Sequence, residues 1–359
     1  MKHKTSAIFL SILLLLTFIT GCQFSVPVNK TSIVTKTITD CDGRKVEIPE
    51  NPERVACLYA STAHIMTMLG KENTIVGAPK GIKRDILMQK KRHDLDTLSV
   101  PFQESSINIE ELLKIKTDLV LLRRSTASNS GEVEKLKKAN IPYVVVDYAT
   151  IDELKQAVTV TGAVFDESQK AQDYNQFCDE TLNLVKTRLN EVPENEKKTL
   201  YHSVNEAART DLNGDICSEI TTLSGTVNVA LAGGNLFTEN EKTMTTLEQI
   251  YTWNPQIFLV NDYTTAEYIR TDPKWSGLSA VQNNQIINLP VGVTRWCHPG
   301  SMEPQMATLF IAKTLYPNHF EDIDLSAYTR NYYQKFFDLS LTDEELASIL
   351  SGEGMRLPK

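Results

Sequence analysis

The sequence has little positive charge and none of the short motifs that identify the large enzyme classes. Its 37 Lys and Arg residues are outnumbered by 45 Asp and Glu residues, which gives a formal net charge of -8. A chain with this balance is poorly suited to neutralising a phosphate backbone, so no nucleic-acid partner is expected. No G-x-S-x-G elbow, H-E-x-x-H helix or phosphate-binding glycine loop is present. The sequence therefore predicts no enzymatic activity and no cofactor.

Cysteine is scarce and irregularly spaced. The six cysteines include no C-x-x-C pair and no arrangement with metal-ligand spacing, so neither a disulfide framework nor a structural zinc site is predicted. Small buried thiols are the expected role for most of them, and a single disulfide outside the cell is left open. The cysteines are Cys22, Cys41, Cys57, Cys178, Cys217 and Cys297.

A short apolar run lies near the N-terminus. Lys2 and Lys4 precede the segment Ala7–Ile19, which is well short of the ~20 residues that a permanent membrane-spanning helix needs. A positive start followed by a short apolar segment is typical of a signal peptide. We therefore interpret residues 1–21 as a signal peptide.

The residues that end this run predict a lipid anchor. Cys22 follows Ile19-Thr20-Gly21, and this pattern resembles the lipobox of bacterial lipoproteins. The resemblance implies a diacylglycerol on the Cys22 thiol, and acyl chains of this kind hold a soluble domain at a membrane without a spanning helix. Residues 22–37 are expected to be the lipidated cysteine and a flexible tether.

Short apolar runs alternate with helical patterns over most of the remaining chain. Because uninterrupted apolar runs between helices are typical of parallel strands covered on both faces, we expect an α/β fold. A chain of 359 residues also exceeds the ~250–300 residues of a single core, which favours two lobes. The expected strand runs are 55–58, 74–76, 118–122 and 143–146 in one series and 199–201, 227–230, 257–260 and 286–289 in the other.

These runs predict two Rossmann-like lobes with parallel sheets, an N-terminal lobe at 38–165 and a C-terminal lobe at 193–359. Residues 166–192 carry apolar side chains at helical spacing behind Asp166, a candidate N-cap, and are predicted to form one long interlobe helix. At ~1.5 Å per residue such a helix spans roughly 39 Å, so a stiff connection is expected. A helical C-terminal tail is expected to pack on the lobes.

One sequence pattern occurs in both predicted lobes. Residues 107–120 and 245–258 each read as a short helix that leads into a buried strand, with Glu110 and Glu248 at the same place in the first helical turn. A carboxylate near a helix N-terminus is favoured by the helix dipole, which explains the pair without any function. The repeat nevertheless indicates that the two lobes are built alike.

Four motifs in a fixed order resemble one protein family. Residues 53–64 (ERVACLYASTAH) resemble the first strand and helix of the substrate-binding proteins of ABC importers for iron-siderophores, haem and cobalamin. Residues 116–120 (KTDLV) and 254–258 (NPQIF) resemble the two strand-entry motifs of that family, and residues 275–289 resemble a late stretch of it. The likeness runs from about residue 37 to the C-terminus.

The sequence departs from that family's pattern at two positions. His64 stands where an acidic residue is often found, and Thr117 stands where proline is usual. Neither departure changes the expected fold, but the first argues against assuming a familiar ligand.

The resemblance implies a receptor that delivers its ligand to an ABC permease. In that family, glutamates matching Glu110 and Glu248 form ion pairs with arginines of the permease, one on each lobe, which suits a dimeric permease with two similar surfaces. The implied partners are the permease dimer with its ATPase, and the receptor itself is expected to be a monomer. The expected location is the outer face of the bacterial cytoplasmic membrane, through the lipid anchor.

Ligand-binding residues are expected at the carboxyl ends of the strands, where open α/β sheets bind their ligands. Arginine suits the carboxylate and catecholate oxygens of a metal chelate, while Tyr and Trp offer flat apolar faces. Because strand side chains alternate, only one of two adjacent arginines is expected to face the cleft. The candidate residues are Tyr59, Arg123, Arg124, Tyr263, Arg295, Trp296 and His298.

This set favours an anionic metal chelate, with a ferric siderophore as the leading expectation. Haem, cobalamin or a smaller metal complex are alternatives of the same kind. A hydrogen-bonding role is favoured for His298 over direct metal ligation. The alternative of another class is a surface-anchored metal-dependent enzyme, for which Cys57, Cys217 and Cys297 are the candidate ligands.

Overall fold

The computed structural model describes residues 34–357. The predicted signal peptide, Cys22 and most of the predicted tether lie outside the described residues. The strands are β1 Thr35–Thr39, β2 Lys45–Pro49, β3 Val55–Cys57, β4 Ile75–Gly77, β5 Phe102–Gln103, β6 Ser106–Ile107, β7 Leu119–Leu122, β8 Tyr143–Val145, β9 Thr199–Ser203, β10 Val227–Asn228, β11 Phe237–Glu239, β12 Lys242–Met244, β13 Ile257–Val260 and β14 Ile286–Asn288.

The helices separate these strands along the chain. They are α1 Ala60–Met68, α2 Ile86–Lys91, α3 Ile109–Lys114, α4 Arg124–Ala127, α5 Ser130–Lys138, α6 Ile151–Val164, α7 Ser168–Leu189, α8 Ile216–Leu223, α9 Leu247–Trp253, α10 Tyr263–Thr271, α11 Ser279–Gln282, α12 Pro304–Leu315, α13 Leu325–Phe337 and α14 Asp343–Ser351. Among residues 34–357, no helix combines the length and the apolar character that crossing a bilayer requires.

Two four-stranded parallel sheets form the framework, in the orders β4-β3-β7-β8 and β10-β9-β13-β14. In each sheet the first strand along the chain pairs with the second and third, and the fourth pairs with the third. The two sheets therefore have the same topology, and β7 and β13 occupy equivalent places. Both of these strands are buried along their whole length. The predicted α/β class with two parallel sheets is confirmed.

The long connecting helix α7 runs from Ser168 to Leu189, which is shorter than the predicted 166–192. Asp166 is not its N-cap, because that residue has a left-handed φ of 57° and its carboxylate accepts hydrogen bonds from Lys36 Nζ instead, at 2.8 Å. The helix approaches α6 closely at Gly162, where an added Cβ would lie 2.7 Å from the Cβ of Ala171. A larger residue at position 162 would push the two helices apart.

Strands β1 and β2 form an antiparallel hairpin that begins at Thr35. The sequence placed residues 35–37 in a flexible tether, and this part of the prediction is wrong. Thr35 pairs with Pro49 and Thr37 with Glu47, so backbone hydrogen bonding orders these residues. Alternating burial hid the strand from a search for continuous apolar runs.

Apolar side chains of the two sheets share one core. Leu200 and Leu259, from one face of the second sheet, belong to the same contiguous cluster as Val55 and Leu121 of the first. The opposite face of the second sheet forms its own cluster around Phe258. Separating the two sheets would expose the shared surface at about 25 cal/mol per Å², so the structure resists wide opening.

The C-terminal tail joins the two halves. Helix α13 contributes Tyr332, which donates a hydrogen bond to the Met302 carbonyl at 2.9 Å. A capping box at Thr342 starts α14. Beyond it, Arg356 Nη1 forms an ion pair with Asp85 Oδ1 at 2.5 Å, and Leu357 N–H donates to the Arg84 carbonyl at 2.8 Å. The tail therefore completes the fold, as predicted, and also reaches back to the first half.

A buried carboxyl group in this region predicts a pH dependence of stability. Glu303 has no exposed surface and accepts hydrogen bonds from Val293 N–H at 3.1 Å and Tyr333 O–H at 2.7 Å. Burial raises its pKa from 4.5 to about 7. Between these two values the folded chain holds a proton that the unfolded chain has released, so the free energy of unfolding falls as pH rises and stays lower above pH 7.

Chemical denaturation at pH 5 and pH 8 checks this expectation. The wild type is expected to lose stability between these pH values, and Glu303→Gln is expected to lose less, because the amide does not ionise. An equal pH effect in the two proteins would show that Glu303 does not cause it. The comparison uses the change with pH, so a uniform loss of stability in the variant does not affect it.

Candidate functional site

The loop at residues 290–303 follows β14 and lies at the carboxyl end of the second sheet. Its path is held by the Trp296 N–H, which donates to the Pro290 carbonyl at 3.1 Å, and by the Ser301 hydroxyl, which donates to the Trp296 carbonyl at 2.7 Å. Gly292 is required, because a Cβ there would lie 1.6 Å from the Tyr333 hydroxyl oxygen. The loop is therefore rigid before any ligand binds.

His298 presents one ring nitrogen toward the end of β9. Its Nδ1 accepts a hydrogen bond from Gly300 N–H at 3.2 Å, so the proton of the neutral ring is on Nε2. That nitrogen lies 3.3 Å from Asn205 Nδ2, and because both atoms carry protons, both remain available to an acceptor. Burial, and then the nearby Arg295 and Arg209, lower the pKa of His298 to about 3. The ring is neutral and offers an N–H donor beside Asn205.

Several arginines lie around this histidine. Arg295 forms an ion pair with Asp262 at 3.4 Å. Burial first, and then the neighbouring Arg356, lower the pKa of Arg295, with Arg84 adding to the effect and Asp262 opposing it. We call Arg84, Arg209, Arg295 and Arg356 the cation cluster. Its members come from four separate segments of the chain, and together they create a positive potential that favours an anion.

On the first sheet, Tyr59 and Arg123 follow β3 and β7. The Arg123 guanidinium carbon lies 3.7 Å from the centre of the Tyr59 ring, and the Tyr59 hydroxyl is 3.1 Å from the Thr126 hydroxyl. Arg123 is exposed. This pair offers an aromatic ring and a solvent-accessible charge at the carboxyl end of the first sheet.

The other sequence candidates lie elsewhere. Arg124 is held in ion pairs with Asp42 at 3.0 Å and Glu153 at 3.4 Å, so of the two adjacent arginines it is the one fixed within the first half. Tyr263 begins α10 and is 39% exposed.

The assignment of Trp296 to the ligand site is wrong. Trp296 has no exposed surface. Its Nε1–H donates to the Tyr333 hydroxyl at 3.2 Å, and its ring packs edge-on against Phe310. The loop turns its indole into the core, so the residue stabilises the loop instead of presenting a face to a ligand.

Sequence reasoning missed four polar residues of this site. Asn205 and Arg209 follow the end of β9, a position at which a search of strand ends would have found them. Arg84 and Arg356 carry no such signal. Arg84 lies in a 3-10 turn of the first half, and Arg356 lies in the C-terminal tail. Only the tertiary structure brings these two segments together.

The two glutamates assigned to docking occupy equivalent places. Glu110 is the second residue of α3 and Glu248 the second residue of α9, and both are exposed. Each helix is capped by the residue two positions earlier, Asn108 or Thr246, whose side chain accepts a backbone N–H. The helices lead into β7 and β13, the third strands of their sheets. One exposed carboxylate therefore lies at the equivalent position in each half.

Comparison with known proteins identifies a family and several relatives that resemble this chain. The family described as periplasmic binding protein matches residues 55–291, more than half of the chain. The molybdate-binding protein MolA of Haemophilus influenzae is 26% identical over 340 residues, which cover 88% of this chain and 95% of that protein. An uncharacterized ABC transporter substrate-binding lipoprotein, YvrC of Bacillus subtilis, is 22% identical and covers 89% of this chain and 99% of its own.

Solved structures show the same fold. The crystal structure of a periplasmic solute-binding protein from Veillonella parvula matches with a TM-score of 0.77 and 22% sequence identity. The match covers 89% of this chain and 99% of that one.

Proposed function

Because this chain belongs to the periplasmic binding protein family and is thus an extracytoplasmic substrate-binding protein of an ABC importer, we propose that its cargo is an anionic metal species and that a small metal oxyanion fits best. The observation that carries the proposal is the position of His298, beside Asn205, near Arg295, Arg209 and Arg356 at the end of the second sheet. Proteins of this family bind solutes and do not transform them, so the site needs no catalytic group.

The net positive charge of the cation cluster favours a negatively charged cargo. Arg295 and Arg356 each have one nearby carboxylate, Asp262 and Asp85, and Arg209 has no ion-pair partner among the described residues. The cluster therefore keeps a surplus of positive charge. Guanidinium groups donate in planar forks that match oxyanions, and such charge-assisted hydrogen bonds are about twice as strong as neutral ones.

Burial sets the size of the cargo. The Arg295 side chain is 22% exposed, and His298 is half-buried beside Asn205. Donors this deep in the protein reach a compact anion more readily than the metal centre of a bulky chelate. His298 Nε2–H and the Asn205 carboxamide add neutral donors for the remaining oxygens. The molybdate-binding name of the Haemophilus relative supports this choice.

A ferric siderophore, the cargo first expected from the sequence, is the second candidate. Tyr59 stacked against Arg123 and the exposed Tyr263 favour it, because flat rings and an accessible cation suit a catecholate or carboxylate chelate. Haem and cobalamin are large ligands of the same kind, and they would also use these rings.

Isothermal titration with a panel of ligands tests the proposal. Molybdate and tungstate are expected to bind with micromolar or tighter affinity, and sulfate to bind at least about tenfold more weakly, a difference of about 1.4 kcal/mol. Ferric citrate and ferric siderophores serve as the competing class. Binding of a ferric chelate together with no heat from either metal oxyanion would overturn the choice of cargo and leave the family assignment intact.

The anchor is a separate proposal, in which Cys22 carries the lipid. Cys22→Ala is expected to release the protein from membranes into the soluble fraction, because two acyl chains are lost together. Cell fractionation followed by immunoblotting measures the distribution. Cys41→Ala is the matched control, since Cys41 is a buried thiol among the described residues. Membrane retention of the Cys22→Ala protein would contradict the anchor.

A further inference from the structure

A group of buried side chains that could bind a metal ion lies beside the proposed cargo site. None of these side chains is assigned to cargo binding. His202, Cys217 and Cys297 offer ligand atoms that all lie within 4.8 Å of one another. Asp211, Asp215 and Cys217 form a second such group, which overlaps the first. We call His202, Asp211, Cys217 and Cys297 the thiol cluster. All four are fully or almost fully buried, with at most 1% of the residue exposed.

The spacing of His202, Cys217 and Cys297 is close to that of a metal site. His202 Nδ1 is 3.8 Å from Cys297 Sγ and 2.7 Å from Asp211 Oδ1. Around tetrahedral zinc, with bonds of about 2.0–2.3 Å, neighbouring ligand atoms lie roughly 3.3–3.8 Å apart. The 3.8 Å distance lies in this range, whereas the 2.7 Å contact is a hydrogen bond that has to lengthen, with loss of the imidazole proton, for His202 and Asp211 to bind the same ion. Asn228 Nδ2 donates to the other Asp211 oxygen at 2.8 Å, as a residue that orients a metal-binding carboxylate does.

From this geometry we propose that His202, Asp211, Cys217 and Cys297 bind a structural Zn²⁺ ion. Two thiolates, an imidazole and a carboxylate form a closed tetrahedral set, and soft sulfur ligands select zinc over magnesium or calcium. The ligands come from β9, the segment before α8, α8 itself and the 290–303 loop. The sequence predicts no structural zinc site and indicates Cys217 and Cys297, with Cys57, only as ligands of an alternative metal-dependent enzyme. No spacing in the chain connects the two cysteines with His202 or Asp211.

The ion would stabilise the backbone segments next to the proposed cargo site. Cys297 directly precedes His298 in the 290–303 loop, and His202 is three residues before Asn205. One ion therefore holds the two segments that carry the neutral donors of the cargo site. Its presence does not depend on which cargo binds, so this inference and the proposed function are tested separately.

Metal content is the measurement. The full chain is purified, reduced, incubated with Zn²⁺ and dialysed, and zinc is measured by mass spectrometry. About one zinc per chain is expected for the wild type, and loss of it for Cys217→Ser and for Cys297→Ser. Cys178→Ser, which removes a buried thiol of α7 outside the cluster, is expected to keep it. His298→Ala is expected to keep it too, which separates this ion from any metal bound in the cargo site.

A spectroscopic readout on the wild type avoids dependence on variants that fail to fold. Co²⁺ in place of Zn²⁺ is expected to give intense thiolate-to-cobalt absorption, which ligands without sulfur do not produce. Three results would overturn the proposal: no zinc in the reduced wild type, zinc retained by both serine variants, or a Cys217–Cys297 disulfide whose reduction leaves a chain that binds neither metal.

Discussion

Arg295→Ala is expected to weaken capture of molybdate by about 10- to 100-fold, because hydrogen bonds to a charged group are worth about 1.5–3 kcal/mol. Arg295 lies in the loop that follows β14, and its guanidinium group is paired with Asp262 before the anion arrives. Removing it also leaves the Asp262 carboxylate, its ion-pair partner, as an unpaired negative charge beside the anion. Both effects raise the dissociation constant.

Arg124→Ala is the matched control for this prediction. It removes an arginine with similar exposure, but one that is paired with Asp42 and Glu153 in the first half. Isothermal titration of both variants with molybdate is the measurement, and circular dichroism checks that each is folded. An unchanged dissociation constant for Arg295→Ala, or equal losses in the two variants, would remove Arg295 from the cargo site.

The double variant Glu110→Ala with Glu248→Ala is expected to lower uptake by about five- to thirtyfold, since two exposed ion pairs at about 0.5–1 kcal/mol each would be lost from docking. Both carboxylates lie in the first turn of a capped helix, where the helix dipole stabilises their charge. Cargo affinity is expected to remain unchanged, because neither residue lies in the cargo site. Uptake of radiolabelled molybdate by cells, together with titration of the purified protein, measures the two quantities.

Glu180→Ala supplies the control for docking, since Glu180 is an exposed glutamate of the connecting helix α7. Each single variant is expected to have an intermediate effect, because the two corners are structurally equivalent. Raising the salt concentration in an assay with reconstituted permease is expected to reduce the difference between wild type and double variant. Normal uptake by the double variant would contradict a docking role for these residues.

The framework could be predicted because its signals are local. Strands such as Leu119–Leu122 and Ile257–Val260 are continuous apolar runs, and a strand buried on both faces requires such a run. Errors arose where tertiary contacts override local pattern. Asp166 is a residue type that commonly caps helices, but its carboxylate accepts a hydrogen bond from Lys36 of a hairpin distant in the chain. The strand at Thr35 alternates in burial and was therefore placed in the tether.

The cargo site was only partly predictable, for the same physical reason. Strand ends indicate Tyr59, Arg123 and the loop with Arg295 as candidates, since a parallel sheet collects its carboxyl ends at one edge. Which side chain of a loop points inward depends on packing, and Trp296 fills the core where a ligand platform was expected. Arg84 and Arg356 reach the site through long-range contacts that no spacing in the sequence encodes.

The returning tail has a practical consequence for work on this protein. Arg356 belongs to the cation cluster and pairs with Asp85. A tag or reporter fused close behind Leu357 would therefore lie within a few residues of the proposed anion site. Proteolytic loss of Arg356 during purification is likewise expected to lower affinity for the proposed anion.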